Sequence, residues 1–179
     1  MLELNFYPER NNPKLAEAAA EYQEIWREQG KAFLGVLETK TGLTFTETEV
    51  NALVYEGISR SHPLTLRASY PKAVKASILV HELGHRLLSS NGLTPASGEG
   101  FHINAHKLLN LFLYDVYCEL FGTDGAQKAV EWESGLRASY KVCWQWALGL
   151  SENERAKRFS AIKQHKDNWL PYLDRSTYD

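Results

Sequence analysis

The sequence predicts a mostly helical α+β domain, and three observations carry that expectation. Apolar residues recur at helical spacing over most of the chain, as in "NPKLAEAAAEYQEIW" near the start and "FHINAHKLLNLFLYDVYCELFG" past the middle. One interval, residues 43–69, changes character: "LTFTETEVNALVYEG" and "HPLTLRASY" are rich in Thr, Val, Leu and Tyr and are punctuated by Gly57 and Pro63, which is strand chemistry. The 179 residues, 44% hydrophobic and 23% charged, have the size and composition of one globular domain able to bury a core. A single domain over 1–179 is expected.

In the first predicted helix, 12–41, Asn12 is the N-cap and Pro13 the first helical residue. Leu15, Ala18, Tyr22, Ile25, Trp26, Phe33 and Leu37 form its apolar stripe, and Gly30 predicts a break. Residues 43–69 are expected to form a small antiparallel sheet. Pro71 then opens a helix over 71–90, "PKAVKASILVHELGHRLLSS", which is apolar almost all round and so is expected to be central and buried. Asn91-Gly92 ends it, and "SSNGLTPASGEG" forms a loop. A third apolar helix over 101–122 stops at Gly122, and C-terminal helices over 125–167 complete the chain.

The formal net charge is −2 and the lysines and arginines are scattered, so neither nucleic acid nor an anionic membrane is an expected partner. The opening "MLELNFYPERNNPK" lacks a basic flank followed by an apolar run, and no stretch has the apolar length of a membrane span. The expected location is cytoplasmic. Cys118 and Cys143 are too few and too far apart for a disulfide scaffold or zinc knuckle, and are read as buried thiols.

The chemistry concentrates in "SILVHELGHRLLSS". His81 and His85 are one helical turn apart on one face, so both imidazoles can reach one ion. Glu82 is offset by about 100° from His81 and about 60° from His85 in the other sense, beside the ion rather than on it. This H-E-x-x-H pattern reads as zinc held by two neutral imidazoles, with Glu82 taking a proton from the attacking water. Unpaired histidines and a carboxylate would be costly in so apolar a helix, which favours the metal reading over chance.

A catalytic zinc normally takes three protein ligands. The extended pattern H-E-x-x-H-x-x-G-x-x-H fails, because Leu88 and Asn91 stand where its glycine and third histidine would be. Glu99 sits in the Gly-rich loop, a poor platform for a rigid ligand. His102 and His106 share a face that also carries Asn110, at the very start of the third helix. Asp115 interrupts the apolar "LLNLFLYDVYCELF" and needs a cation or donor there, so it is the preferred third ligand. Glu119, one turn on, is second choice or a hydrogen-bond partner of a ligand, and a histidine is the third.

"HELGH", followed after a loop by a helix bearing acidic residues, resembles the zincin metallopeptidases, and more narrowly the compact gluzincins or minigluzincins. The resemblance spans residues 43–122 and rests mainly on the five-residue motif. In those families the third ligand comes from the helix after the motif helix, often with a second acidic residue four positions along. Here Asp115 precedes Glu119, whereas the usual order is a glutamate ligand and then an aspartate. The resemblance implies a zincin-like fold in which a small sheet lies above the motif helix and its edge strand pairs with an extended peptide. Residues 64–69 would be that edge. Such peptidases often stabilise the oxyanion with a Tyr or His; Tyr140, Arg137 and His165 are candidates by residue type.

The function expected is therefore a zinc metallopeptidase acting on a peptide or protein substrate, with His81, His85 and Asp115 as ligands and Glu82 as base. The rival is a non-catalytic protein of the same fold, either with a structural metal whose site is closed by a fourth ligand such as His102 or His106, or as a binding module whose cleft the C-terminal helices close. An enzyme acting on a non-peptide amide is the third reading.

Overall fold

The computed structural model describes residues 2–98 and 100–174. The chain divides into two compact units, Met1–Ser90 and Asn91–Asp179. The first carries the sheet and the motif helix. The second is helical.

In the first unit, β1 (Glu3–Pro8) leads into α1 (Pro13–Thr41), followed by β2 (Glu49–Tyr55), β3 (Thr65–Arg67) and α2 (Lys72–Ser90). Asn12 caps α1 by accepting from the backbone N–H groups of Lys14 and Leu15, and Gly42 ends the helix in the left-handed conformation with its N–H on the Glu38 carbonyl. The break expected at Gly30 does not occur, and the helix is continuous. Gly30 has a packing role instead: a Cβ there would lie 2.6 Å from the Trp26 ring.

The sheet has three strands in the order β1-β2-β3, and it is parallel rather than antiparallel. The difference has a covalent origin. β1 lies outside the 43–69 interval, and α1 is the helical crossover that returns the chain to run alongside it, as parallel strands require. Between β2 and β3 the chain makes a wide loop rather than a hairpin and so re-enters in the same direction. One face of the sheet, with Leu4, Phe6, Val50, Ala52 and Val54, is buried, and Phe6 stacks on Tyr22 of α1.

The expectation that residues 64–69 offer an open edge also fails. Thr65 exchanges both of its backbone hydrogen bonds with Arg60, at 2.9 and 3.0 Å. The Arg67 N–H donates to Ser59 Oγ and its carbonyl accepts from the Tyr22 hydroxyl. The outward-facing groups of β3 are thus already partnered by the loop before it and by α1.

In the second unit, α3 (Phe101–Leu136) leaves helical geometry at Gly122 (φ 72°, ψ 169°) and continues beyond it. The predicted stop is therefore a kink, made where glycine alone tolerates positive φ at little cost. Then come α4 (Ala138–Leu148), α5 (Glu152–Gln164), a short 3₁₀ turn (Lys166–Asn168) and α6 (Leu170–Leu173). Ser151 and Glu154 form a capping box that starts α5. The core of this unit joins Leu108, Phe112, Val116, Tyr117, Trp144 and Phe159, and it encloses one carboxylate, Glu133, which accepts from the Tyr117 hydroxyl at 2.6 Å and the Trp144 indole N–H at 3.0 Å. Cys143 is buried, Cys118 is half-buried, and both are free thiols. Among the described residues no helix is long and apolar enough to cross a membrane.

Candidate metal centre

The motif helix α2 is buried from Ser77 through Gly84, so His81 and Glu82 are withdrawn from solvent, while His85 is half-buried. The one-turn spacing of the histidines brings their rings together edge to face, with centroids 4.9 Å apart and planes at 67°. Around α2, Arg86 is held by Glu47 and by the Ser61 carbonyl, and buried Lys75 pairs with Glu21 and lies over the Tyr22 ring. These ionic contacts tie the helix to the rest of its unit. They give the histidine pair a rigid platform.

Glu82 lies within electrostatic reach of Tyr22. Burial pushes the Tyr22 phenol far above its ordinary value, and the neighbouring Tyr70, Glu82 and Glu21 add to the shift. Tyr22 is therefore a neutral hydroxyl at any physiological pH, and its proton is committed to the Arg67 carbonyl.

On α3, His106 is 8% exposed, and its Nδ1 lies 2.6 Å from the backbone carbonyl oxygen of His102. A carbonyl can only accept, so Nδ1 carries the proton and the lone pair of the neutral ring is at Nε2. Such a backbone bond sets both tautomer and ring direction for a metal ligand. The ring packs against Tyr140 at 4.3 Å between centroids, and the Arg137 guanidinium lies over Tyr140.

The ligand atoms of His81, His85 and His106 all lie within 4.8 Å of one another. Three imidazole nitrogens that close form a group able to hold a metal ion. Asp115 is not a member of this group: its carboxylate accepts two hydrogen bonds from Arg155, at 2.6 and 3.3 Å. Helix geometry gives the same answer, since nine residues at about 100° each place Asp115 about 180° around α3 from His106. The cation that a carboxylate in an apolar helix requires is thus a guanidinium.

Among the other residues singled out by type, Glu119 and His102 are exposed, and His102 contributes its backbone oxygen rather than its ring. His165 is exposed and stacks on Tyr172. Glu99 lies outside the described residues. Tyr140 alone of the three oxyanion candidates touches a member of the histidine group.

By sequence a histidine, His102 or His106, stands third after Asp115 and Glu119, because both lie at a helix start on a face that also carries Asn110. The signal that favours His106 was the four-residue spacing from His102, which allows a ring to bond back to the preceding turn. No family model matches this chain, and no curated protein or solved structure matches it either. The zincin resemblance accordingly rests on "HELGH" itself.

Proposed function

We propose that this chain is a zinc-dependent hydrolase of peptide bonds, in which His81, His85 and His106 hold the ion and Glu82 is the general base. The observation that carries the reading is the convergence of three imidazole ligand atoms within 4.8 Å, beside a buried carboxylate. Three nitrogen donors suit zinc, whose catalytic sites keep three protein ligands and leave one position open. Bound there, zinc would polarise the scissile carbonyl and lower the pKa of the attacking water.

The residues do the rest. His106 offers Nε2 because His102 holds Nδ1, and His81 and His85 share one face of a well-packed helix. Glu82 takes the proton of the attacking water and passes it to the leaving amine. Asp115 has no part in this scheme, since Arg155 already neutralises it. The motif supports a peptide or protein as substrate. With the edge of β3 occupied, that substrate is held by contacts other than strand addition at β3.

Metal analysis and peptide hydrolysis by the wild type and Glu82→Gln test the reading. The expected result is about one zinc per chain in both proteins, with hydrolysis lowered by at least about 100-fold in the variant, the scale of general base catalysis. Full activity of Glu82→Gln would remove the catalytic role, and a metal-free wild type after zinc exposure would remove the centre itself. Metal retained in an inactive wild type would leave the structural-metal reading.

A further inference from the structure

Asn110 is 1% exposed, and its Oδ1 is a buried side-chain atom with no hydrogen-bond partner among the described residues. Buried acceptors are rarely left unsatisfied, because the water they gave up is not replaced. The position on α3 says what the acceptor is for. Asn110 follows His106 by four residues, so its side chain leaves the helix about 40° around from that ring and one turn along. The one other such atom, Nε of Arg158, belongs to a guanidinium that already donates from Nη1 to the Leu173 carbonyl. Asn110 has no comparable anchor among the described residues.

We propose that Asn110 belongs to the metal centre, where its amide oxygen accepts a hydrogen bond from the water at the ion's open position. The inference rests on the metal reading of His81, His85 and His106. A water there has two O–H groups to place. Glu82 is the acceptor that can take a proton, whereas an amide oxygen cannot, so Asn110 holds one O–H without removing it and leaves the other directed at Glu82. It is a positioning residue. The three imidazoles have no acceptor left for this task, since each lone pair is committed to the ion.

The test is cobalt(II) binding to the full chain, followed by visible absorption and by competition with a chelator, in wild type, Asn110→Ala, Asn110→Leu, Asn110→Asp and His106→Ala. Loss of the oxygen in the Ala or Leu variant is expected to weaken binding about 10- to 100-fold, as removal of groups that orient metal ligands typically does, and to shift the visible bands. Asn110→Asp, which keeps an oxygen there, is expected to restore binding. The Leu variant preserves volume and reads the same loss should the Ala variant fold poorly. Wild-type affinity and spectrum in a folded Ala or Leu variant would overturn the proposal. If His106→Ala loses cobalt while the Asn110 variants do not, the centre stands and only the role of Asn110 falls. If the wild type binds no cobalt, both fall.

Discussion

The Nδ1 of His106 donates to the carbonyl oxygen of His102 across one turn of α3, at 2.6 Å. That bond leaves a single nitrogen for anything outside the helix. On the proposed function His106→Ala removes a ligand itself, and is therefore expected to lower zinc affinity by more than the 10- to 100-fold typical of orienting groups. Isothermal titration with zinc checks this, and an affinity within about threefold of wild type would exclude His106 from the centre.

Asp115 gives the converse expectation. Its partner Arg155 has only 6% of its side chain exposed, so Asp115→Ala strands a buried cation. Partial exposure of the aspartate, 21%, moderates the effect, and a loss of about 3 kcal/mol is expected from urea unfolding of the metal-free protein. Zinc affinity of the folded variant should match wild type. A stable variant that no longer binds zinc would restore Asp115 as a ligand.

Acid should loosen the start of α5 in a way that depends on one carboxylate. Hydrogen bonds from the Ser151 side chain, and then from its backbone N–H, hold Glu154 below its ordinary value. A depressed carboxylate contributes stability that is fully present above the unfolded value of about 4.3 and is lost as pH falls through the lower folded value. The stability gap between wild type and Glu154→Gln is thus expected to be widest near neutrality and to close below about pH 4. Urea midpoints measured from pH 7 to pH 3 check this. A gap that is constant across the range would assign the effect to packing instead.

What could be read from the sequence follows how local each interaction is. The span of α1 and the positions of β2, β3 and α2 were legible because Asn12, Gly42 and the apolar stripes act over a few residues. The direction of the sheet was not, because it depends on β1 at the far end of α1. Asp115 misled for the same reason. Its local surroundings correctly demanded a cation, but Arg155 stands forty residues away and no local pattern announces it. The shared face of His81 and His85 was legible because a helix face is itself a local object, whereas the approach of His106 to them was not, because backbone acceptors leave little trace in residue type.

The closed edge of β3 also bears on how copies of this chain can associate. Stacking of sheets into an open-ended ribbon requires every molecule to offer two unpaired strand edges, one to give and one to receive. With Thr65 and Arg67 already bonded to Arg60, Ser59 and Tyr22, one of the two is withdrawn. A second copy adding a strand at β3 would first have to displace these bonds, so the loop before β3 and the Tyr22 hydroxyl act as a guard against strand addition there.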